Sequence, residues 1–364
     1  MSTSDAAEPL RAVIVGCGGI ARWHAQALMA LEEYHLVAVC DLDEAVGHRF
    51  TEMFHVKHSY AQYGQLLGSA EPDVVVVATP SSLHASMVIQ AAEAGARGVY
   101  CEKPLATCMA DGREAVAACR HHGAALAVNH QRRMSPPVLR MRELIADGAV
   151  GDVYLLRGSC AGDLLSDGTH LVDTIRFLAR DPPIRWVFGQ VHRAPGEDAP
   201  RRPGGVQLAA GGFRYGHPVE TGAVGVWEFE SGVRAEILCG DLRLPDRAYG
   251  DYEVFGTQGR LWRAGDRADP PVLMQNARGG GWRAVDVPDS EQSQAHLVTP
   301  CNCYRQFAAM VRQGAQHPLS GDSALVDLET IMAIYESARL RAKVELPLDQ
   351  PRFPLEIMIE EGQL

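Results

Sequence analysis

The stretch that most restricts this chain is AVIVGCGGIARWHAQALMAL, an apolar run over residues 12–15, then Gly16-Cys17-Gly18-Gly19-Ile20-Ala21, then an Ala- and Leu-rich segment. Strand, G-x-G-x-x-A and helix in that order leave few folds open. Gly16 permits a tight turn, Gly18 leaves bare backbone, and Ala21 is small enough for the helix to lie against the strand. The helix opens with unpaired N–H groups and the positive end of its dipole, an arrangement that receives phosphate. A second apolar stretch, HLVAVCD, ends in Asp41, about twenty residues past the fingerprint. A carboxylate there accepts hydrogen bonds from ribose hydroxyls and repels a 2′-phosphate. Leu42 rather than Arg follows it, so the pattern predicts NAD over NADP.

The rhythm continues downstream. PDVVVVATP over residues 72–80 is a continuous apolar strand of the kind found in parallel sheets covered on both faces. It runs into SSLH and a helix reaching about Gly95, then the strand RGVYC, a helix around residues 110–122, and the strand AALAV. Strands alternating with helices predict a doubly wound α/β sheet, with ligands beyond the carboxyl ends of the strands. Thr79, Glu102, Lys103 and the NHQRR segment all fall at such ends. The expected cofactor contacts are therefore Gly16, Gly18, Ile20, Ala21, Asp41, Thr79, Pro80, His84, Glu102 and Lys103.

Composition excludes several functions. The 364 residues exceed one ordinary core and suggest two domains. A formal charge of -11 argues against a nucleic-acid surface. No apolar run approaches the roughly 20 residues needed to cross a membrane, and the opening MSTSDAAEPLR has neither the basic start nor the apolar core of an export signal. Nine scattered cysteines are expected as reduced thiols, which suits the cytoplasm. Cys301 and Cys303 form the one tight pair; without a second pair they predict no metal site.

With GCGGIARWHAQAL, ATPSSLHASMVIQAAEAG, CEKPLA and SDGTHLVDTIRFL in this order, nearly the whole chain resembles the Gfo/Idh/MocA family of NAD(P)-dependent oxidoreductases. The resemblance implies an N-terminal Rossmann domain and a C-terminal α/β domain with a large, mostly antiparallel sheet. One face of that sheet covers the active site; the other commonly packs in oligomers, here expected as a dimer or tetramer. It also implies that Lys103 lies near the nicotinamide and the reacting hydroxyl, that Glu102 lies near the nicotinamide ribose, and that His170 takes and returns the proton. Many sugar- and polyol-oxidising members carry an aspartate four residues before that histidine. Here the position is Ser166 and Asp167 follows, so either Asp167 replaces the aspartate or it binds substrate. The implied catalytic set is Lys103, Asp167 and His170, with Arg132, Ser166, Asp167 and His170 on the substrate. The implied reaction is hydride transfer between NAD and a secondary alcohol of a sugar, sugar derivative or cyclitol. The alternatives are glycoside cleavage by transient oxidation with retained NAD, and a catalytically silent NAD- or sugar-sensing regulator.

The residues agree with that division. After residue 128 the pattern changes to a helix, a Gly turn and a strand, then to ETGAVGVWEFESGVRAEILCGD and DYEVFGTQGRLWRAG, which alternate as paired antiparallel strands. Domains are expected at 1–128 and 129–345, the second closed by helices near 301–313 and 322–341. An arm, 346–364, ends in apolar residues that need a surface on this subunit or a neighbour. Residues 193–205, rich in Pro, Gly and Arg, predict a loop. A carbinol dehydrogenase needs a base for the hydroxyl proton and positive charge for the developing alkoxide. His170 suits the first role and Lys103 the second. Arg132 and Arg133, after a strand, suit a substrate contact, whereas Asp173 is expected to orient His170 or cap a segment, and His217 stays outside the expected site.

Overall fold

The computed structural model describes residues 8–193, 212–244, 249–277, 279–288 and 295–364. Most of the proline- and arginine-rich insert, residues 194–205, lies outside them. The chain divides into two compact units: Met1–Ala106, Asp111–Gln131 and Ser293–Ser323 form one, and Thr107–Ala110, Arg132–Gln292 and Ala324–Leu364 the other.

In the first unit six strands pair in parallel: β1 (Leu10–Val15), β2 (Tyr34–Cys40), β3 (His58–Tyr60), β4 (Val74–Val77), β5 (Gly98–Cys101) and β6 (Ala125–Val128), in the order β3-β2-β1-β4-β5-β6. Helices α1 (Gly19–Met29), α2 (Glu44–Phe54), α3 (Tyr63–Ala70), α4 (His84–Glu93) and α5 (Met109–His122) connect them. The four valines of β4 are fully buried, as β-branched residues pack well on a sheet covered on both faces. Strand order reverses between β1 and β4, and there the carboxyl ends leave a crevice for a dinucleotide. This is the expected Rossmann sheet.

One helix differs from expectation. The sequence alone assigns residues 301–313 to the second domain, whereas α6 (Pro136–Ala146) and α7 (Thr169–Leu178) belong there and α8 (Ala295–Gln313) packs in the first unit. The Tyr304 ring stacks on Tyr100 of β5 with centroids 4.5 Å apart, and Phe307 meets the same ring edge-on at 5.2 Å. Gly98 makes room for this. A Cβ there would stand 2.5 Å from Val311 Cγ2 and 2.9 Å from the Phe307 ring. Periodicity reveals that α8 has an apolar stripe but not which sheet receives it.

The second unit is built on nine strands: β7 (Val153–Cys160), β8 (Ile184–His192), β11 (Gly222–Phe229), β12 (Arg234–Gly240), β13 (Asp251–Gly256), β14 (Gly259–Ala264), β15 (Leu273–Asn276), β16 (Arg283–Ala284) and β17 (Val344–Glu345), in the order β16-β15-β14-β13-β7-β12-β11-β8-β17. Only β7 and β12 run parallel; the other neighbours are antiparallel. The predicted hairpins appear as β11–β12 and β13–β14. A short ribbon of β9 (Phe213–Arg214) and β10 (His217–Pro218) stands apart from the sheet. Helix α7 is buried along all ten residues, more than the one face that periodicity suggests. Its charges are therefore paired: Arg133 Nε donates to Asp173 Oδ1 at 2.6 Å, and Arg176 Nη1 to Asp327 Oδ1 at 2.5 Å. Helix α9 (Gly321–Leu340) covers part of the sheet, with Ile334 against Gly189 and Gly225. On the opposite sheet face, by register, Phe188 is 48% exposed and Val226, Leu155 and Phe255 are half-buried. The C-terminal arm folds as α10 (Pro354–Glu360) and docks on its own unit, with Phe353 edge-on to Tyr335 at 5.1 Å.

Gly98→Val tests where α8 belongs. An isopropyl group against Phe307 and Val311 overpacks the contact and should cost about 1–3 kcal/mol in urea unfolding. An unchanged midpoint would place α8 elsewhere.

Candidate active site

The candidate cofactor residues start at the end of β1. Gly16 has φ +88°, a region that costs any residue with a Cβ, and a Cβ there would lie 2.5 Å from Ala78 O at the end of β4. Gly18 and Gly19 have open space where a Cβ would point. Gly18 is the N-cap of α1, and no side chain caps the helix, so its first N–H groups remain for a ligand. Ala21 is fully buried under the helix and Ile20 is 40% exposed beside the loop. Asp41 braces the turn: Oδ2 accepts from Cys17 N at 2.8 Å and Oδ1 from Asp43 N at 3.0 Å. Thr79 Oγ1 is buried without a hydrogen-bond partner among the described residues. A bare glycine loop, an uncapped helix start and an orphaned hydroxyl at a strand end fit a dinucleotide, with Gly16–Ala21, Asp41 and Thr79 as the residues to hold it.

His84 begins α4 and faces backbone on both sides. Its Nδ1 lies 2.6 Å from Pro104 O and Nε2 lies 2.9 Å from Thr79 O. Burial outweighs the two carbonyls and lowers its pKa, so a neutral ring donates to one of them. Its place is behind Thr79, Pro80 and the Lys103-Pro104 bond, which is cis.

Glu102, straight after β5, is buried. Its Oε1 accepts from His24 Nε2 at 2.9 Å and Asn129 Nδ2 at 2.6 Å, and its Oε2 from Lys103 N at 3.2 Å. Burial alone would push this carboxyl up. The His24 hydrogen bond leads the opposing group, with Lys103 and Asn129, and brings it below its ordinary value. So β5 ends in a fixed anion beside the Lys103 ammonium. His24, Asn129 and Tyr304 escape sequence reasoning, although His24 sits three residues after Ala21 and Asn129 opens the NHQRR segment.

A second cluster of candidate residues lies in the second unit. Asp163 caps the turn Leu164–Gly168 by accepting from Ser166 N at 2.7 Å, and α7 follows directly. Ser166, Asp167 and His170 thus occupy successive positions of one buried π-to-α run. Ser166 Oγ lies 3.2 Å from His217 Nε2, and His217 Nδ1 lies 2.9 Å from Pro218 O. The ring therefore donates through Nδ1 and accepts from the serine, which brings His217 into the site against expectation. Asp167 Oδ2 accepts from Arg214 Nη1 at 2.5 Å and from the Tyr249 hydroxyl at 3.3 Å; Arg214 also reaches Asp163 Oδ2 at 2.8 Å. His170 is 7% exposed and its carbonyl accepts from the Tyr252 hydroxyl at 3.3 Å.

The two arginines after β6 take different parts from the expected one. Arg132 forms a two-point pair with Asp266 through both terminal nitrogens. Arg133 is 1% exposed and holds Asp173 and Asp181, so it is a core ion pair and not a substrate contact. Asp173 is the acceptor in that buried pair. All nine cysteines are free thiols, including Cys301 and Cys303.

Glu220 supports the turn from below. It accepts from Leu164 N at 2.6 Å and from the Tyr335 hydroxyl at 2.7 Å. Burial first, and Asp163 second, raise it to about 7. A carboxyl raised in the folded state contributes stability below its ordinary 4.5 that is lost as pH rises through about 7. Glu220→Gln mimics the protonated group. Its stability relative to wild type should improve by about 2–3 kcal/mol from pH ~5 to pH ~8 in denaturant titrations. A constant difference across that range would assign Glu220 an ionised state throughout.

Comparison with known proteins adds the lineage. Residues 10–130 match the GFO/IDH/MocA family described as "Oxidoreductase family, NAD-binding Rossmann fold", and residues 161–262 match the GFO/IDH/MocA C-terminal domain. D-apiose dehydrogenase of Paraburkholderia graminis is 29% identical over 95% of this chain and 92% of its own length. 1,5-Anhydro-D-fructose reductase of Ensifer adhaerens is 27% identical over 92% and 97%. The crystal structure of the WlbA dehydrogenase from Bordetella pertussis, in complex with NADH and UDP-GlcNAcA, superposes with a TM-score of 0.72 at 22% identity, over 94% of this chain and all of that one.

Proposed function

The chain belongs to the GFO/IDH/MocA oxidoreductase family, and on that premise we propose that it is an NAD-dependent dehydrogenase of a sugar, sugar derivative or cyclitol, oxidising a secondary alcohol or reducing the matching ketone. The observation that carries this is the anion-and-cation pair at the end of β5. Glu102 is held ionised by three donors and Lys103 follows it in an NAD-binding fold. The sugar class is supported by the relatives, which act on apiose and anhydrofructose.

NAD, when bound, supplies the hydride acceptor. The chain's own part is to hold the carbinol, take its proton and steady the oxygen. His170 takes the hydroxyl proton, since an imidazole can accept a proton and give it back. Lys103 donates to the same oxygen as negative charge develops. Asp167, fixed by Arg214 and Tyr249, is the acidic partner on the substrate side, and Ser166 with His217 offers hydroxyl-scale hydrogen bonding. Arg132 orders the same side through Asp266. Asp41 at the end of β2 favours NAD, because a 2′-phosphate beside a carboxylate costs repulsion.

The nine free thiols suit the cytoplasm. No helix among the described residues is long and apolar enough to cross a membrane. The open sheet face around Phe188 suits a homo-oligomer, dimer or tetramer, and Phe188→Glu should lower the mass seen by light scattering.

The decisive assay offers NAD or NADP with sugars, sugar acids, inositols and glycosides, and follows both reduced nicotinamide and products. NAD should be reduced with one substrate class. Lys103→Ala and His170→Ala should each lose roughly 100-fold or more in kcat/KM while still binding NADH. An aglycone released without net NADH would move the chain to NAD-retaining glycoside cleavage. Metabolite-dependent partner binding without turnover would move it to a regulator.

A further inference from the structure

Glu102 is served by two hydrogen-bond arms that start from tyrosines. In the first, the Tyr304 hydroxyl lies 2.8 Å from His24 Nδ1 and His24 Nε2 lies 2.9 Å from Glu102 Oε1. The Tyr304 hydroxyl is buried, and Nδ1 is the acceptor within its reach. A buried O–H that must donate therefore puts the lone pair on Nδ1 and the proton on Nε2. The helix carrying Tyr304 is itself pinned, since the Tyr34 hydroxyl donates to Tyr304 O at 2.6 Å. In the second arm, the Tyr100 hydroxyl donates to Asn129 Oδ1 at 2.8 Å, which turns the amide so that Nδ2 donates to Glu102 Oε1 at 2.6 Å. Both arms end on the same oxygen. The other, Oε2, is left to the Lys103 main-chain N–H at 3.2 Å.

With the Tyr304 hydroxyl donating, each bond in this set runs one way. We propose that His24 and Tyr304, with Tyr100 and Asn129, are positioning residues that lock the Glu102 rotamer and thereby seat the main chain of Lys103 for its task at the reacting oxygen. This rests on the dehydrogenase reading for what Lys103 does, but the hydrogen-bond directions stand apart from it. The titratable groups around the set are His24 on α1, Glu102 and Lys103 after β5, Tyr100 and Cys101 on β5, His84 on α4, Tyr34 on β2, and Cys303 and Tyr304 on α8. Burial raises the three tyrosines and the two thiols, so each keeps its proton at neutral pH and the tyrosines remain donors. Glu102 is the one group of the set that carries a negative charge there.

The test uses the full-length protein and three variants, each first checked for a wild-type urea midpoint to within experimental spread or compared at matched folded fraction. His24→Leu removes one donor from Glu102, and His24→Gln restores one, because its amide nitrogen can reach where Nε2 stood. Tyr304→Phe removes the donor that sets the ring. Losing a hydrogen bond to a charged group should lower kcat roughly 10- to 100-fold in His24→Leu, with NADH affinity by fluorescence titration moving less than about threefold. His24→Gln should recover most of that loss. Wild-type kcat in His24→Leu, or equal loss in Leu and Gln, would overturn the proposal.

A second readout needs no substrate. Histidine-selective 15N spectra should show His24 as the neutral Nε2–H tautomer in wild type, and Tyr304→Phe should abolish that preference. An Nδ1–H or doubly protonated His24 in wild type would overturn the proposal. Should no sugar be turned over, the dehydrogenase reading fails by itself and the tautomer decides the relay.

Discussion

A carboxylate taken out of water must be neutralised by a proton or surrounded by donors, and the first unit is arranged around the second choice. Glu102 draws a histidine from α1, an asparagine from beyond β6 and the backbone of its own successor. Each of those donors is oriented by something further out. The result ties the nucleotide-loop helix, the last strand of the sheet and a helix from late in the chain to one side chain. Removing the carboxylate would leave an imidazole N–H, an amide and a main-chain N–H without acceptors at once, a heavier loss than any one of the bonds.

The second unit solves a similar problem with opposite means. Its turn before α7 brings Asp163, Asp167 and Glu220 near one another, and a single guanidinium, Arg214, spans the two aspartates. The third carboxyl has no such cation among the described residues and responds by holding its proton more tightly. Four residues before His170, where the family resemblance implies an aspartate, this chain has Ser166, already engaged with His217. A further carboxylate at that position would crowd an acidic turn that one arginine already serves. The hydroxyl and imidazole are uncharged alternatives that keep hydrogen bonding without adding to the repulsion.

The legible parts of this fold are those whose physics is local. Gly16, Gly18 and Asp41 declare themselves because turn, helix start and strand end lie within one βαβ stretch. The valine run of β4 and the hairpin rhythm of β11 to β14 reveal themselves through period alone. The site was legible where motif and strand end coincide, at Thr79, Glu102 and Lys103, and on the short run from Ser166 to His170. It was not legible where a side chain's meaning comes from a partner far along the chain. Arg133 looks like a ligand-binding arginine until Asp173 and Asp181 are seen on it. Arg214, His217 and Tyr304 carry no motif, and the first two gain significance only from Asp163, Asp167 and Ser166.

The return of α8 to the first sheet has a consequence for how the protein comes to be made. A ribosome releases Gln131 with all six parallel strands already synthesised, yet β5 then presents Gly98 and the Tyr100 ring without their cover until Ser293–Ser323 emerges. For the whole interval in which the second unit is being translated, the nascent nucleotide-binding sheet carries an exposed apolar seam and a glutamate lacking its full set of supports. Completion of the first unit is thus an event of late synthesis. A genetic cut at the apparent end of the Rossmann pattern would leave behind a sheet with one of its walls on the other fragment.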